Sequence, residues 1–140
     1  MSVTAVDVNT GKAYEFNNDN IDFEDLPHAA LASSSIPFVF APHNWEGVGL
    51  FMDGGTVVNE NVDSAIHHCR NKVDDDSKII IDILICRAPG EIKTIEHTGD
   101  TIDNYMRAWN INYFHSGTQN IQLAKAHHPN TNFRYIINQK

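Results

Sequence analysis

The chain has 140 residues, 41% of them hydrophobic and 20% charged, a balance that suits one globular core and excludes a low-complexity chain. Eighteen acidic against ten basic residues leave a formal charge of -8, so the field around the protein repels polyphosphates and nucleic acid is not an expected partner. The basic residues are scattered from Lys12 to Lys140 and give no polybasic segment for docking on an anionic membrane.

Ser2 to Asp7 alternates apolar and polar residues, Asn9-Thr10-Gly11 supplies turn chemistry, and Ala13 to Phe16 resumes the extended pattern, so the chain opens on a predicted hairpin. The same opening residues carry no basic lead and no apolar core segment, the two parts of a signal peptide. Asn17 to Asp25 is polar and turn-rich. From about Asp25 to Ser35 the spacing of Leu26, Ala29, Ala30 and Ala32 predicts a helix. Pro37 ends it, because the residue before a proline is pushed out of the helical region. A loop with Pro42, His43, Asn44 and Trp45 leads into a short strand, Val48 to Met52. Val62 to Arg70 then places Val62, Ala65, Ile66 and Cys69 on one helical face, ahead of a solvated acidic loop at Asp74-Asp75-Asp76.

Lys78 to Cys86 is β-branched and almost uniformly apolar, which predicts an interior strand covered on both faces. Its apolar run is broken by Asp82 and falls far short of the roughly 20 residues of a membrane helix, so membrane contact is at most peripheral. Ala88-Pro89-Gly90 breaks the chain. Thr101 to His127, with Ile102, Tyr105, Met106, Trp109, Tyr113 and Phe114, predicts one or two helices, and Asn132 to Ile137 a final strand. Cys69 and Cys86 form no CxxC and no disulfide framework; they read as core thiols of a reducing compartment, and the expected location is intracellular. Strands and helices alternating after the hairpin predict an α/β fold with a mixed, mainly parallel sheet and flanking helices. The chain enters a strand pair at once, as if the sheet were cut.

The strongest local feature is Leu50-Phe51-Met52-Asp53-Gly54-Gly55, a carboxylate at the end of an apolar strand followed by two residues without side chains. Two glycines permit a tight turn and let another backbone or a substrate approach the Asp. In open α/β sheets, sites lie beyond the carboxyl ends of strands. By itself Asp-Gly reads first as a turn. Elsewhere His67-His68 and His127-His128 read as surface pairs, since adjacent residues on a helix point about 100 degrees apart and make no metal clamp. Asp7, Asp53 and Asp82 have no spacing that demands a shared divalent ion. Trp45, Phe38 and Phe40 suit either a pocket lining or the core. Ser33, Ser34 and Ser35 need only be small and cap-like before the proline.

The run Ala32-Ser33-Ser34-Ser35-Ile36-Pro37-Phe38-Val39-Phe40-Ala41-Pro42 changes the weight of the Asp. Taken with the strand that follows, it resembles the patatin-like phospholipase family, in which a small-Ser-x-x-Ile-Pro-x-x-Phe-x-Pro segment precedes a strand ending in Asp-Gly-Gly, with an Asn shortly after. Ser34, Pro37, Phe40, Pro42, Asp53, Gly54, Gly55 and Asn59 fall on that pattern. The opening Ser2 to Lys12 is similar to the strand and Asn-Thr-Gly turn that come earlier in the family. The resemblance is strongest over residues 2–65. Asn61 and Val62 stand where the family usually has a proline, and the glycine-rich oxyanion loop and Gly-x-Ser-x-Gly elbow are absent; Ser116-Gly117 lacks the preceding glycine.

The resemblance implies that residues 1–140 are the C-terminal part of a single patatin-like domain with a partial patatin-like fold. It implies phospholipase A type ester hydrolysis by a Ser-Asp dyad, with Asp53 as the base, Gly54, Gly55, Asn59, Ser34 and Pro37 in support, and neither metal nor other cofactor. The partners implied are a lipid ester substrate and a missing N-terminal half, or a partner chain, that carries the serine. The alternative is a non-catalytic descendant, a pseudoenzyme or structural subunit that packs an exposed sheet edge against a partner chain.

Overall fold

A computed structural model describes residues 1–58, 60–85 and 99–138, and the chain divides into two units, Met1–Asn61 and Val62–Lys140. Asn59, Cys86 and the expected break at Ala88-Pro89-Gly90 lie outside the described residues.

In the first unit the expected hairpin forms from β1 (Ser2–Asp7) and β2 (Ala13–Asn17), paired antiparallel from Ser2 with Asn17 to Val6 with Ala13. Its turn is closed by Asp7, whose carboxylate accepts hydrogen bonds from the Thr10 backbone N–H (2.7 Å) and hydroxyl (2.8 Å). Gly11 takes the positive φ of 69° that the turn needs. A 3-10 turn, Phe23–Asp25, leads into α1 (Leu26–Ser33), with Ala29 and Ala32 against the core. The helix ends two residues before the expected Ser35. The Ser34 hydroxyl bends back to the Ala30 carbonyl (2.8 Å) and the Ser35 hydroxyl to that of Leu31 (2.8 Å), competing with further helical turns.

Two strands follow, β3 (His43–Trp45) and β4 (Gly49–Asp53), joined by the three residues Glu46, Gly47 and Val48. β3 occupies what the sequence pattern assigns to a loop. The sheet order is β2-β1-β4-β3 and every pairing in it is antiparallel. This corrects the expected mainly parallel sheet: loops of three and five residues can join only antiparallel neighbours, since a parallel pair needs a long crossover. Phe16, Trp45 and Phe51 form the aromatic centre of the core with Ala5, Ala29 and Ala32, and the ring centroids of Phe16 lie 5.1 Å from Trp45 and 5.4 Å from Phe51.

The second unit consists of α2 (Val62–Arg70), β5 (Ile80–Ile85), α3 (Thr101–His127) and β6 (Asn132–Asn138). α3 is a single helix of 27 residues, started by the Asp100 carboxylate accepting from the Ile102 N–H at 2.7 Å. β5 and β6 pair parallel, with an irregularity between Ile81 and Asp82. Val62, Ile66, Ile79, Ile83, Ile121 and Ala124 form the core, with Cys69, Ile81, Ile85 and Phe133 packed against it. The strand expected to be covered on both faces is covered on one: Ile80 and Leu84 are 52% and 67% exposed. Its only strand neighbour among the described residues is β6, and the helices supply cover from the other side.

The turn after α3 is held by a chain of polar contacts that includes the Arg70–Asp76 ion pair. His128 donates from Nε2 to Asp63 at 2.9 Å and accepts at Nδ1 from Arg70 at 3.0 Å, and Arg70 also bonds Asp76 at 2.6 Å. Arginine can only donate, so this contact sets the His128 tautomer. His128 is therefore not the free surface residue its sequence position suggests. No helix among the described residues is long and apolar enough to cross a membrane.

Candidate functional site

Asp53 is the last residue of β4, one place later in the strand than the sequence pattern suggests. Its backbone N–H donates to the Ser35 carbonyl at 3.0 Å, which ties the strand end to the second residue past α1. Its carboxylate Oδ1 accepts the Gly55 N–H at 2.6 Å and so caps a 3-10 turn, Gly54–Thr56. The turn chemistry of Asp-Gly is therefore real. It uses one carboxylate oxygen, and Oδ2 accepts no hydrogen bond among the described residues.

Gly54 explains why the strand can stop here. A Cβ at this position would lie 2.3 Å from the Thr4 carbonyl oxygen and 2.6 Å from its carbon, so only glycine lets the turn lie against β1. Asn61, in the place where a proline was expected, donates its side-chain N–H to the Thr4 hydroxyl at 3.3 Å and ties the loop to the same point on β1.

The Asp53 carboxyl is half-buried, and burial raises its pKa above the ordinary carboxylate value despite the opposing hydrogen bond from Gly55. Residues 1–61 contain Lys12 as their one basic side chain and nine Asp and Glu residues, so the whole of the formal -8 sits in this unit. Asp7, by contrast, is held below its ordinary pKa by the Thr10 hydroxyl and N–H.

The other expected participants divide. Ser34 is exposed and hydrogen-bonds within α1, whereas Ser35, which the sequence does not single out, is buried and is the serine linked to Asp53. Pro37 is half-buried in the turn that follows. Asn59 is outside the described residues. Trp45 belongs to the core, while Phe38 and Phe40 are 73% and 60% exposed. Phe38 holds a positive φ of 71°, a region that bulky residues rarely enter. An open cleft beside β2, lined by Tyr14, Asp19, Asp22, Asp25, Trp45 and Val48 among others, does not include Asp53. Asp7 is bonded to Thr10, and Asp82 to Arg134. Among the described residues no three His, Cys, Asp or Glu side chains converge on a point that could hold a metal.

Two outcomes test this geometry. Gly54→Ala is expected to lose about 3 kcal/mol in urea unfolding, because backbone atoms of β1 must move to admit the methyl group. For Asp53, a folded-state pKa raised above the unfolded one makes the ionised form the less stable one in the native state. Its stabilising share is complete at pH below the unfolded value and is lost as pH rises through the folded value. Thermal melts should then show Asp53→Asn more stable than wild type at neutral pH, with the gap closing in acid.

Comparison with known families places this strand end in a wider setting. No curated protein matches the chain. Residues 1–66 match the family model described as Patatin-like phospholipase. The matched stretch ends at residue 66, and the Asp53-Gly54-Gly55 strand end lies inside it.

Proposed function

We propose that this chain supplies the base of a lipid acyl hydrolase, with Asp53 as the carboxylate of a Ser-Asp dyad. The observation that carries this reading is the half-buried Asp53 carboxyl, raised in pKa and with Oδ2 unengaged among the described residues, at a strand end inside the patatin-like match. A carboxylate in such a setting can take the proton of a serine hydroxyl as the oxygen attacks an ester carbonyl. It then returns the proton to the departing alcohol, and water hydrolyses the acyl-serine by the same route. Backbone donors must stabilise the developing oxyanion. Gly54 and Gly55 hold the carboxylate in place, Ser34 and Pro37 shape the segment before the strand, and no cofactor is called for.

The serine and the oxyanion donors come from a polypeptide outside this sequence, which has no Gly-x-Ser-x-Gly. On this reading residues 1–140 are the C-terminal part of one patatin-like domain, completed by that partner. The negative charge of residues 1–61 sets the field at the site against anionic headgroups, which favours neutral or zwitterionic esters. In the assembly with the serine-bearing half, Asp53→Asn should cut labelling by a fluorophosphonate probe by about 10²- to 10⁴-fold. Undiminished labelling would remove Asp53 from the role of base.

A second reading, a non-catalytic subunit that packs against a partner chain, is favoured by the exposed apolar run Leu31, Ile36, Phe38, Val39 and Phe40. Sedimentation of the isolated chain tests it. Self-association or aggregation relieved by a partner is expected, and a stable, monodisperse monomer would count against an obligate partner.

A further inference from the structure

Two histidines far apart in sequence meet in the first unit. Nδ1 of His28, in the first turn of α1, lies 3.1 Å from Nε2 of His43, at the start of β3. The ring centroids are 5.3 Å apart, with the planes at 38°. Both rings are held in place by their surroundings. His28 stacks on the indole of Trp45 at 5.4 Å and 16°, and Trp45 is itself 6% exposed in the aromatic core. His43 is fixed by the pairing of β3 with β4, opposite Phe51. His28 is exposed and His43 half-exposed, so solvent reaches the pair.

Two imidazoles bound to one first-row ion at bonds of about 2.0–2.1 Å hold their nitrogens roughly 2.9–3.4 Å apart, from right-angled to tetrahedral coordination. The separation of 3.1 Å lies inside that window. We propose that His28 and His43 form a two-histidine site for a borderline divalent transition ion such as Zn2+ or Ni2+, with water in the remaining positions. Neutral imidazole selects such ions over Mg2+ and Ca2+, which prefer oxygen ligands. No third protein ligand joins them among the described residues, so the ion is exchangeable and keeps open positions. Its structural effect is to clamp α1 to β3. The competing occupant of the gap is a single hydrogen shared between the rings.

The stacked indole provides a readout. In the full chain carrying Trp109→Phe, Trp45 is the one remaining tryptophan. Titration with Ni2+ should quench its emission, and calorimetry with Ni2+ or Zn2+ should show one equivalent bound that Mg2+ does not replace. His28→Gln and His43→Gln should each weaken binding by at least about tenfold, whereas the double variant His67→Gln/His127→Gln should bind as the parent does. Absence of stoichiometric binding to the parent overturns the proposal without recourse to any variant, and leaves the shared hydrogen in its place. Binding unchanged in both single variants, or lost instead in the double variant, overturns it as well by moving the ion to other histidines.

Discussion

The approach of Gly54 to Thr4 governs the architecture of the first unit. With backbone atoms of β1 only 2.3 Å from where a Cβ would stand, β4 can run alongside β1 and turn away at Asp53 only if that next residue has no side chain. Several features rest on this contact. The 3-10 turn Gly54–Thr56 stays close to β1, the Asp53 carboxylate is directed back to the Gly55 N–H, and Asn61 reaches the Thr4 hydroxyl. On the other side, the Ser35 carbonyl receives the Asp53 N–H, so the end of α1 is held to the same strand end. The site is therefore built from backbone contacts, with side chains added to a geometry already set.

The balance of hydrogen bonding against burial then sets Asp53 apart from its neighbour Asp7. Both belong to the same sheet and both cap a turn. Asp7 receives two hydrogen bonds from Thr10 and is stabilised in its ionised form, whereas Asp53 receives one, which burial outweighs. Two carboxylates of one chemical type thus differ through the donors that face them. The proposed role of Asp53 as a base draws on that difference.

The second unit follows another logic. Its core is aliphatic, drawn from α2, α3 and one face of a parallel strand pair, and its polar connections are made by the chain Asp63, His128, Arg70 and Asp76. The outer face of β5 carries Ile80 and Leu84 in the open, beside an ion pair of Asp82 with Arg134. A parallel pair is ordinarily covered on both sides. The family match stops at residue 66, in the middle of α2, so this unit's fold is described by its own residues and not by the comparison.

Much of this was legible in the amino-acid order, and what was legible is local. Asn9-Thr10-Gly11 dictates a tight turn through the φ that glycine permits, the periodicity of Val62 to Arg70 dictates a helix, and Asp53-Gly54-Gly55 marks a strand end through its lack of side chains. The strands at Ile80–Ile85 and Asn132–Asn138 also fall close to where β-branched residues cluster. What the order could not supply were the partners. β3 is three residues long, His-Asn-Trp, too short to show alternation, and exists because β4 lies beside it. Strand direction, the choice of Ser35 over Ser34 as neighbour of Asp53, the bare outer face of β5 and the meeting of His28 with His43 all depend on contacts between distant segments. Backbone propensity acts over a few residues and is written in the sequence; burial, desolvation and side-chain pairing arise only when the chain closes on itself, and these decided what surrounds Asp53.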